Sequence, residues 1–170
     1  VTASDSSGFI HDPDGITAEK LVYLKDLKEV RRGRISEYAE KYTKAKYYAG
    51  KRPWGVRCEL AFPCATQNEL SLADAKTLVA NGCVAVAEGA NMPSDADAVH
   101  YFLQKKILFG PAKAANAGGV AVSGLEQTQN SIRLSWTAEE VDARLKEIML
   151  GIHATCVKHG ADDAKFVNYV

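Results

Sequence analysis

Four side-chain amides stand in short polar segments of this chain, each soon after an apolar run: Gln67, Asn68, Asn91 and Asn116. An amide side chain both donates and accepts hydrogen bonds, which is what binding a carboxamide or a ribose requires. Small residues surround these amides, so that backbone N–H groups can also approach a ligand. For any one of them alone, solvating a loop or capping a helix is the simpler interpretation, and it stays open here.

The stretch 110–124 is rich in alanine but carries two adjacent glycines, Gly118 and Gly119. Each glycine inside a helix costs about 0.8–1.0 kcal/mol relative to alanine. We therefore predict that the backbone breaks there, or that a small ligand approaches it closely.

A second candidate group begins with Asp5 and Ser6, because an acidic residue after a strand of a dinucleotide-binding fold usually binds the ribose 2′-hydroxyl. The next predicted helix carries four cations on one side: Lys25, Lys28, Arg31 and Arg32. A phosphate on the ribose would need such partners. A solvated helix face is the alternative for this charge run, but together with Ser6 the cluster favours NADP as the coenzyme.

The elements that must position these residues alternate between strands and helices, which is typical of βαβ units. Strands are predicted over 1–4, 58–62, 84–87 and 107–109, and helices over 17–32, 35–44, 71–82 and 94–105, with another in the Ala/Gly stretch. The first helix should turn Leu21, Leu24 and Leu27 to the core. The predicted fold is α/β, a Rossmann-like parallel sheet flanked by helices. Because ligands lie beyond the carboxyl ends of parallel strands, four loops, at 5–7, 63–68, 88–93 and 110–116, should converge on one site.

Two capping boxes mark helix starts, at Ser71–Asp74 and at Thr137–Glu140. The helix that begins after Thr137 carries an apolar stripe that needs a packing partner. Its members are Val141, Leu145, Ile148, Met149, Ile152, Cys156 and Val157.

Composition limits the possible partners. The 170 residues hold 21 Lys and Arg against 21 Asp and Glu, so there is no net charge to attract nucleic acid or an anionic membrane. Four cysteines form no CxxC pair, which favours reduced thiols in a cytoplasmic protein and predicts no metal site. The chain does not begin with methionine, so we expect it to be part of a longer protein.

Several motifs occur in order along the chain: TASDSSG from Thr2, PCATQNE from Pro63, AEGANMP from Ala87, and KAANAGGV from Lys113, followed by SGLE from Ser123. With these motifs the chain resembles, over nearly its whole length, the coenzyme-binding domain of the bacterial, hexameric, NADP-specific glutamate dehydrogenases. The resemblance implies a homohexameric parent enzyme that converts L-glutamate, NADP⁺ and water to 2-oxoglutarate, ammonia and NADPH. The NADP enzymes run mainly in the ammonia-assimilating direction.

The resemblance also implies roles for individual residues. Its coenzyme contacts would be Asp5 and Ser6 to the adenosine ribose, Lys28 and Arg31 to the 2′-phosphate, Ala65 and Thr66 along the crevice, and Asn91 and Asn116 to the nicotinamide ribose and carboxamide. Val120 and Ser123 would contact the glutamate substrate. The proton-transfer lysine and aspartate of the family lie in a substrate domain, so no catalytic residue is expected here and the chain alone should be inactive.

On this basis residues 1–135 are expected to form a partial dinucleotide-binding domain, and residues 136–170 a C-terminal helix with a truncated return toward the substrate domain. Two alternatives remain. The chain could serve as a non-catalytic module that acts only in binding or self-association. A leucine or phenylalanine dehydrogenase is a narrower rival.

Overall fold

Two separate three-stranded sheets organise the chain, one antiparallel and one parallel. They are seen in a computed structural model that describes residues 1–162 and 166–170. The antiparallel sheet contains β1 (Thr2–Asp5), β2 (Gly8–His11) and β3 (Lys46–Ala49) in that order. The parallel sheet contains β4 (Leu60–Ala61), β5 (Ala85–Ala87) and β6 (Leu108–Gly110), also in chain order.

The prediction of parallel pairing is wrong for the first part of the chain. Only Ser6 and Ser7 separate β1 from β2, and a two-residue connection forces neighbouring strands to run antiparallel. β3 then pairs with the free edge of β2, opposite Phe9 and Ile10. Sequence analysis did not predict β2 and β3, since their pairing follows from the two-residue turn at Ser6 and Ser7 and not from periodicity.

Helix α1 (Ala18–Lys25) continues as a π-helical turn, Asp26–Val30, and the two share a hydrophobic core with Ile10 of this sheet. Thr17 caps α1, and Leu24 and Leu27 are buried, as predicted. Leu21 is 52% exposed, so its assignment to the core is wrong. The buried face includes Lys20 instead, whose ammonium lies 2.7 Å from the fully buried carboxylate of Asp12.

A short helix α2 (Ser36–Lys41) completes this half and contributes Tyr38 to the core. The core of this half consists of Ile10, Leu24, Leu27, Ile35, Tyr38 and Ala45. A single 3₁₀ turn, Pro53–Gly55, follows β3 and buries Trp54 in the second core.

The parallel sheet is covered on one face by α3 (Leu72–Ala80) and α4 (Ala96–Gln104), which also pack on each other. Ala61, Val86 and Phe109 point from the three strands into this core. The predicted capping box at Ser71 and Asp74 is present, and Gly82 ends the α3 segment with φ at +91°. The next helix is capped by Asp95 rather than by Ser94, one residue later than predicted.

Three helices follow β6 in the described part of the chain: α5 (Ala112–Ala115), α6 (Gly118–Ile132) and α7 (Ala138–Gly160). The helical conformation is interrupted at Asn116 and Ala117, between α5 and α6. The interruption lies just before the glycine pair, so Gly118 and Gly119 are the first two residues of α6. A Cβ on Gly118 would stand 3.6 Å from Leu145 of α7, and one on Gly119 would meet nothing within 4 Å. Thr137 caps α7 with the predicted capping box.

The face of the parallel sheet opposite α3 and α4 is apolar and exposed. Leu60, Phe62, Val84 and Leu108 are each more than half exposed there. Parallel sheets usually have both faces covered by helices, so an exposed apolar face on a parallel sheet is unusual. In the described part of the chain, no helix has the length and apolar character needed to cross a membrane.

Candidate functional site

Three of the four predicted loops meet at the carboxyl ends of β4, β5 and β6. Backbone hydrogen bonds tie them together: Gly89 N donates to Pro63 O, and Asn68 N donates to Met92 O, each over 3.0 Å. Glu88 N likewise donates to Gly110 O over 3.0 Å. The convergence expected from a parallel sheet is confirmed for these loops. The fourth, residues 5–7, is the β1–β2 connection of the other sheet.

A cavity of about 1030 Å³ opens where these loops meet. Among the side chains that line it, six are polar: Asn68, Glu88, Asn91, Ser94, Lys113 and Asn116. Apolar residues of α4, α5 and α6, with Ile152 of α7, form most of the remaining wall. A largely apolar cavity with a few convergent polar groups is the usual form of a small-molecule site.

Two of these loops hold a non-glycine residue in the left-handed region of backbone conformation. Asn68 has φ at 54° and Met92 has φ at 48°. Asparagine tolerates this conformation, whereas for methionine it costs of order 1–3 kcal/mol. Strain of this kind persists only where the surroundings fix the chain, and it clusters at binding sites.

Of the residues predicted to contact coenzyme and substrate here, Asn91, Asn116 and Val120 line the cavity together. Asn116 ends α5, and Val120 is 78% exposed on the first turn of α6. Ser123 is exposed three residues further along α6, on the same side of the helix as Val120. Ser123 is not part of the cavity wall.

The predicted crevice residues Ala65 and Thr66 lie in the exposed loop after β4. The Ala65 amide donates to the carboxylate of Glu69 over 2.8 Å, which closes the loop on itself. Ala65 lines a different cavity, of about 930 Å³, that also contains Thr2, Ala3 and Ser4 of β1. That cavity runs between the two sheets.

Glu88 and Ser94 are members of the site that sequence reasoning did not identify. Both are more than nine-tenths buried. The Glu88 carboxylate accepts from Ser94 N at 3.2 Å and from Ala112 N at 2.7 Å. The Ser94 hydroxyl has no hydrogen-bond partner among the described residues although it lines the cavity. A buried hydroxyl without a partner is rare.

Asp5 lies at the β1–β2 turn, and four donors occupy its carboxylate. Ser7 donates to Oδ1 from its amide and its hydroxyl, at 2.9 and 2.6 Å. Lys28 Nζ and the Ile35 amide each donate to Oδ2 over 2.9 Å. Burial alone would raise the pKa of Asp5, but these hydrogen bonds outweigh it and hold the pKa far below its usual range. Asp5 is therefore a fixed anion that anchors the turn.

Next to Asp5, the exposed hydroxyl of Ser6 accepts from Arg34 Nη1 over 2.9 Å. Lys28 completes the group: its ammonium bridges Asp5 and the carbonyl of Gly33, at 2.9 and 2.8 Å. Two cations and a hydroxyl thus lie around the β1–β2 turn. We call this group, which consists of Ser6, Lys28 and Arg34, the Ser6 cluster. Sequence reasoning missed Arg34 because it lies beyond Gly33, outside the predicted helix.

Arg31 does not join the Ser6 cluster in this structure. Its guanidinium pairs with Asp26 at 2.8 Å and with Glu37 at 3.5 Å, and it stacks over the ring of Tyr23. These exposed contacts belong to the outer surface of the α1 segment. Elsewhere, no group of three or more His, Cys, Asp or Glu side chains among the described residues is arranged to hold a metal ion.

Comparison with known proteins gives the family to which the chain is similar. The sequence pattern of the family described as Glutamate/Leucine/Phenylalanine/Valine dehydrogenase matches residues 1–168. A glutamate dehydrogenase of Bacteroides thetaiotaomicron is 62% identical over the whole chain. An NADP-specific glutamate dehydrogenase of Haemophilus influenzae is 57% identical over the same span. The chain covers 38% of the length of each of these two relatives, as expected for part of a longer protein.

The structure is similar to the crystal structure of Plasmodium falciparum glutamate dehydrogenase, with a TM-score of 0.86 and 53% sequence identity. The match covers 94% of this chain and 34% of that one. Coenzyme differs among the relatives, since a Bacteroides fragilis enzyme that is 46% identical over the whole chain is named NAD-specific. The family pattern matches almost the whole chain, and relatives share more than half of its residues over its full length. This chain therefore belongs to the Glutamate/Leucine/Phenylalanine/Valine dehydrogenase family.

Proposed function

We propose that this chain is the coenzyme-binding part of an NADP-dependent glutamate dehydrogenase. The complete protein would convert L-glutamate, NADP⁺ and water to 2-oxoglutarate, ammonia and NADPH. The observation that carries the proposal is the cavity at the carboxyl ends of β4–β6, which brings Asn68, Asn91 and Asn116 together. As in other parallel α/β sheets, a ligand would lie beyond the strand ends.

The nicotinamide end of the coenzyme fits the chemistry of this cavity. When bound, it supplies the hydride acceptor or donor of the reaction. The amides of Asn91 and Asn116 can donate to and accept from a carboxamide, and the unpartnered Ser94 hydroxyl offers a further buried group. Apolar walls around these groups limit the access of water and strengthen each polar contact.

On α6, Val120 and Ser123 would face the substrate. Their spacing of three residues puts them on one side of the helix, next to Asn116. Val120 is exposed to the cavity and would contact the aliphatic part of glutamate, while the Ser123 hydroxyl would donate to a carboxylate.

The adenosine end would lie at the Ser6 cluster. A 2′-phosphate carries negative charge and several acceptor oxygens, and Arg34, Lys28 and the Ser6 hydroxyl can donate to it. The fixed negative charge of Asp5 opposes a phosphate, but Lys28 offsets it at 2.9 Å. The cluster therefore supports NADP as the coenzyme.

In this proposal residues 1–135 form a Rossmann-like nucleotide-binding unit, and residues 136–170 lead back toward a substrate domain. The proton-transfer groups would come from that domain, so the 170-residue chain alone should bind coenzyme without turning over glutamate. The parent enzyme would be a cytoplasmic homohexamer.

The test uses the complete protein that contains this chain and follows glutamate-dependent reduction of NADP⁺. In that protein, Asn116→Asp replaces an amide donor by an acceptor at almost constant size. Losing a buried hydrogen bond should lower kcat/KM about tenfold or more. Asn130→Asp, an exposed amide on α6, is the matched control. Absence of any glutamate-dependent reduction by the unaltered protein, or equal activity of the two variants, would contradict the proposal.

A second candidate function is self-association without catalysis. The observation that favours it is the exposed apolar sheet face with Leu60, Phe62, Val84 and Leu108. An exposed apolar patch of this kind usually marks an interaction surface.

A further inference from the structure

Glu88 combines two properties that seldom occur together in a folded protein. It is a carboxylic side chain with only 4% of its surface exposed, and within the described ranges no Lys, Arg or His pairs with it. Its two oxygens instead accept from two backbone amides, those of Ser94 and Ala112. A buried carboxylate that receives only main-chain donors fixes main-chain positions.

The two amides belong to different segments of the site. Ser94 closes the loop after β5, the loop that carries Asn91 in a stretch with left-handed backbone at Met92. Ala112 is the first residue of α5, the helix that ends at Asn116. The backbone of Glu88 itself is bound to Gly110 of β6 over 3.0 Å. The side chain of Glu88 therefore links the Asn91 loop to the Asn116 helix, and its backbone links β5 to β6.

We propose that Glu88 is a positioning residue, which sets the separation of Asn91 and Asn116 and so shapes the pocket for the nicotinamide end of the coenzyme. The inference rests on the proposed function, which gives Asn91 and Asn116 their ligand. A carboxylate suits this role because both of its oxygens accept, one for each amide. Glutamine has one oxygen and one NH₂ group, so one amide would face a second donor. An apolar residue would leave both buried N–H groups without a partner.

The structural part is tested on the 170-residue chain by hydrogen exchange of single amides, with Glu88→Gln and Glu59→Gln compared. Glu59 is an exposed glutamate directly before β4 and serves as the control. We expect exchange to become at least tenfold faster in Glu88→Gln only, at whichever of the Ser94 and Ala112 amides faces the new NH₂ group, with the interior amides of α3 unchanged. Unchanged exchange at both amides would overturn the inference, as would equal acceleration throughout the chain, which would mean general destabilisation.

The functional part uses the complete protein and separates KM from kcat. If Glu88 positions the coenzyme pocket, Glu88→Gln should raise the KM for coenzyme about tenfold, equivalent to about 1.4 kcal/mol, and change the KM for glutamate less. A merely structural role would lower the folded fraction and hence kcat, and would leave the KM for coenzyme as it was. If the unaltered protein shows no glutamate-dependent turnover while the exchange result holds, the proposed function fails and the link between the loops stands.

Discussion

Arg34 is the residue whose contacts say most about coenzyme choice. It donates to the Ser6 hydroxyl over 2.9 Å, whereas Arg31 is paired with Asp26 and Glu37. We expect Arg34→Ala to weaken NADPH binding about tenfold and to leave NADH binding nearly unchanged, because a charge-assisted hydrogen bond is worth about 1.5–3 kcal/mol. Fluorescence titration of the chain with each coenzyme measures both affinities.

Arg31→Ala is the matched comparison for this prediction, since it removes the same charge three residues earlier. It should change NADPH affinity less than Arg34→Ala does. If instead Arg31→Ala has the larger effect, Arg31 contacts the 2′-phosphate, as the family resemblance implies. Arg31 would then have to leave Asp26 and Glu37 when the coenzyme binds. Equal loss of NADH and NADPH binding in Arg34→Ala would show that Arg34 does not read the phosphate.

Asp12 should make the stability of the chain depend on pH. Burial opposes its ionisation, but hydrogen bonds from Lys20 and Tyr38, each at 2.7 Å, lower the pKa of Asp12 below its ordinary value. The unfolded chain therefore binds more protons once the pH falls through about 4. The stabilisation by Asp12 is complete above that pH and is lost as the pH falls toward the folded-state pKa.

Asp12→Asn tests this linkage by urea unfolding at a series of pH values. The variant should lose about 1–3 kcal/mol near neutral pH, since Lys20 keeps a buried charge without its partner. It should lose less than the unaltered chain when the pH drops from about 5 to about 3. Asp14→Asn, at an exposed carboxylate, serves as the control. Parallel pH curves for Asp12→Asn and the unaltered chain would refute the role of Asp12.

At the scale of single elements, the capping box of α3 gives a direct prediction. The Ser71 hydroxyl accepts from Asp74 N at 3.3 Å, and the Asp74 carboxylate accepts from the Ser71 amide at 3.0 Å. Ser71→Ala should therefore lower the free energy of unfolding by about 1 kcal/mol. Thr77→Ala, inside the same helix and exposed, should change it little or raise it. Thermal or urea unfolding measures the free energy of unfolding of both variants. Equal losses in the two variants would mean that the Ser71 cap contributes no more to stability than the exposed Thr77 side chain does.

Elements with a strong local signal were predictable from sequence. The helices that begin after Ser71 and Thr137 start where their capping boxes place them, and the three parallel strands lie within one or two residues of their predicted bounds. β2 and β3 were not predictable, because their identity depends on the two-residue turn at Ser6 and Ser7 rather than on periodicity. The prediction for Leu21 was wrong for a related reason: an ion pair between Lys20 and Asp12, which lie eight residues apart, selects the buried face of α1.

Some residues of the candidate site could likewise be predicted from the sequence, and others could not. Polar residues directly after parallel strands, such as Asn91 and Asn116, could be found because sheet topology brings strand ends together. Glu88 could not, since its significance comes from two backbone amides, one of them 24 residues away along the chain. Arg34 is similar: its contact with Ser6 spans 28 positions. Roles that depend on side chain to backbone contacts over such separations have no local sequence signal.

For the molecule as a whole, the uncovered face of the parallel sheet is the main feature that remains to be explained. Leu60 and Phe62 alternate with the buried Ala61, so strand pleating puts both on the outer face. They are 54% and 60% exposed, and Val84 and Leu108 adjoin them at 54% each. Net charge of zero gives the chain no long-range repulsion to keep such faces apart. We therefore expect the isolated chain to self-associate through this face.

Phe62→Ser tests that expectation by sedimentation at several protein concentrations. The unaltered chain should sediment as a species larger than its 18.4 kDa monomer, and the variant should shift toward the monomer. Val30→Ser removes an even more exposed apolar side chain, 74% accessible, from the other half of the molecule and should leave the distribution unchanged. A purely monomeric unaltered chain would remove the support for self-association as a function. Phe62 does not line the cavity at the carboxyl ends of β4–β6, but it lines the cavity between the two sheets together with the predicted crevice residue Ala65, so NADPH binding by Phe62→Ser should be measured as well. Coenzyme binding that is retained in the monomeric variant would show that the nucleotide site is complete within one copy of the chain, independent of whatever covers the sheet.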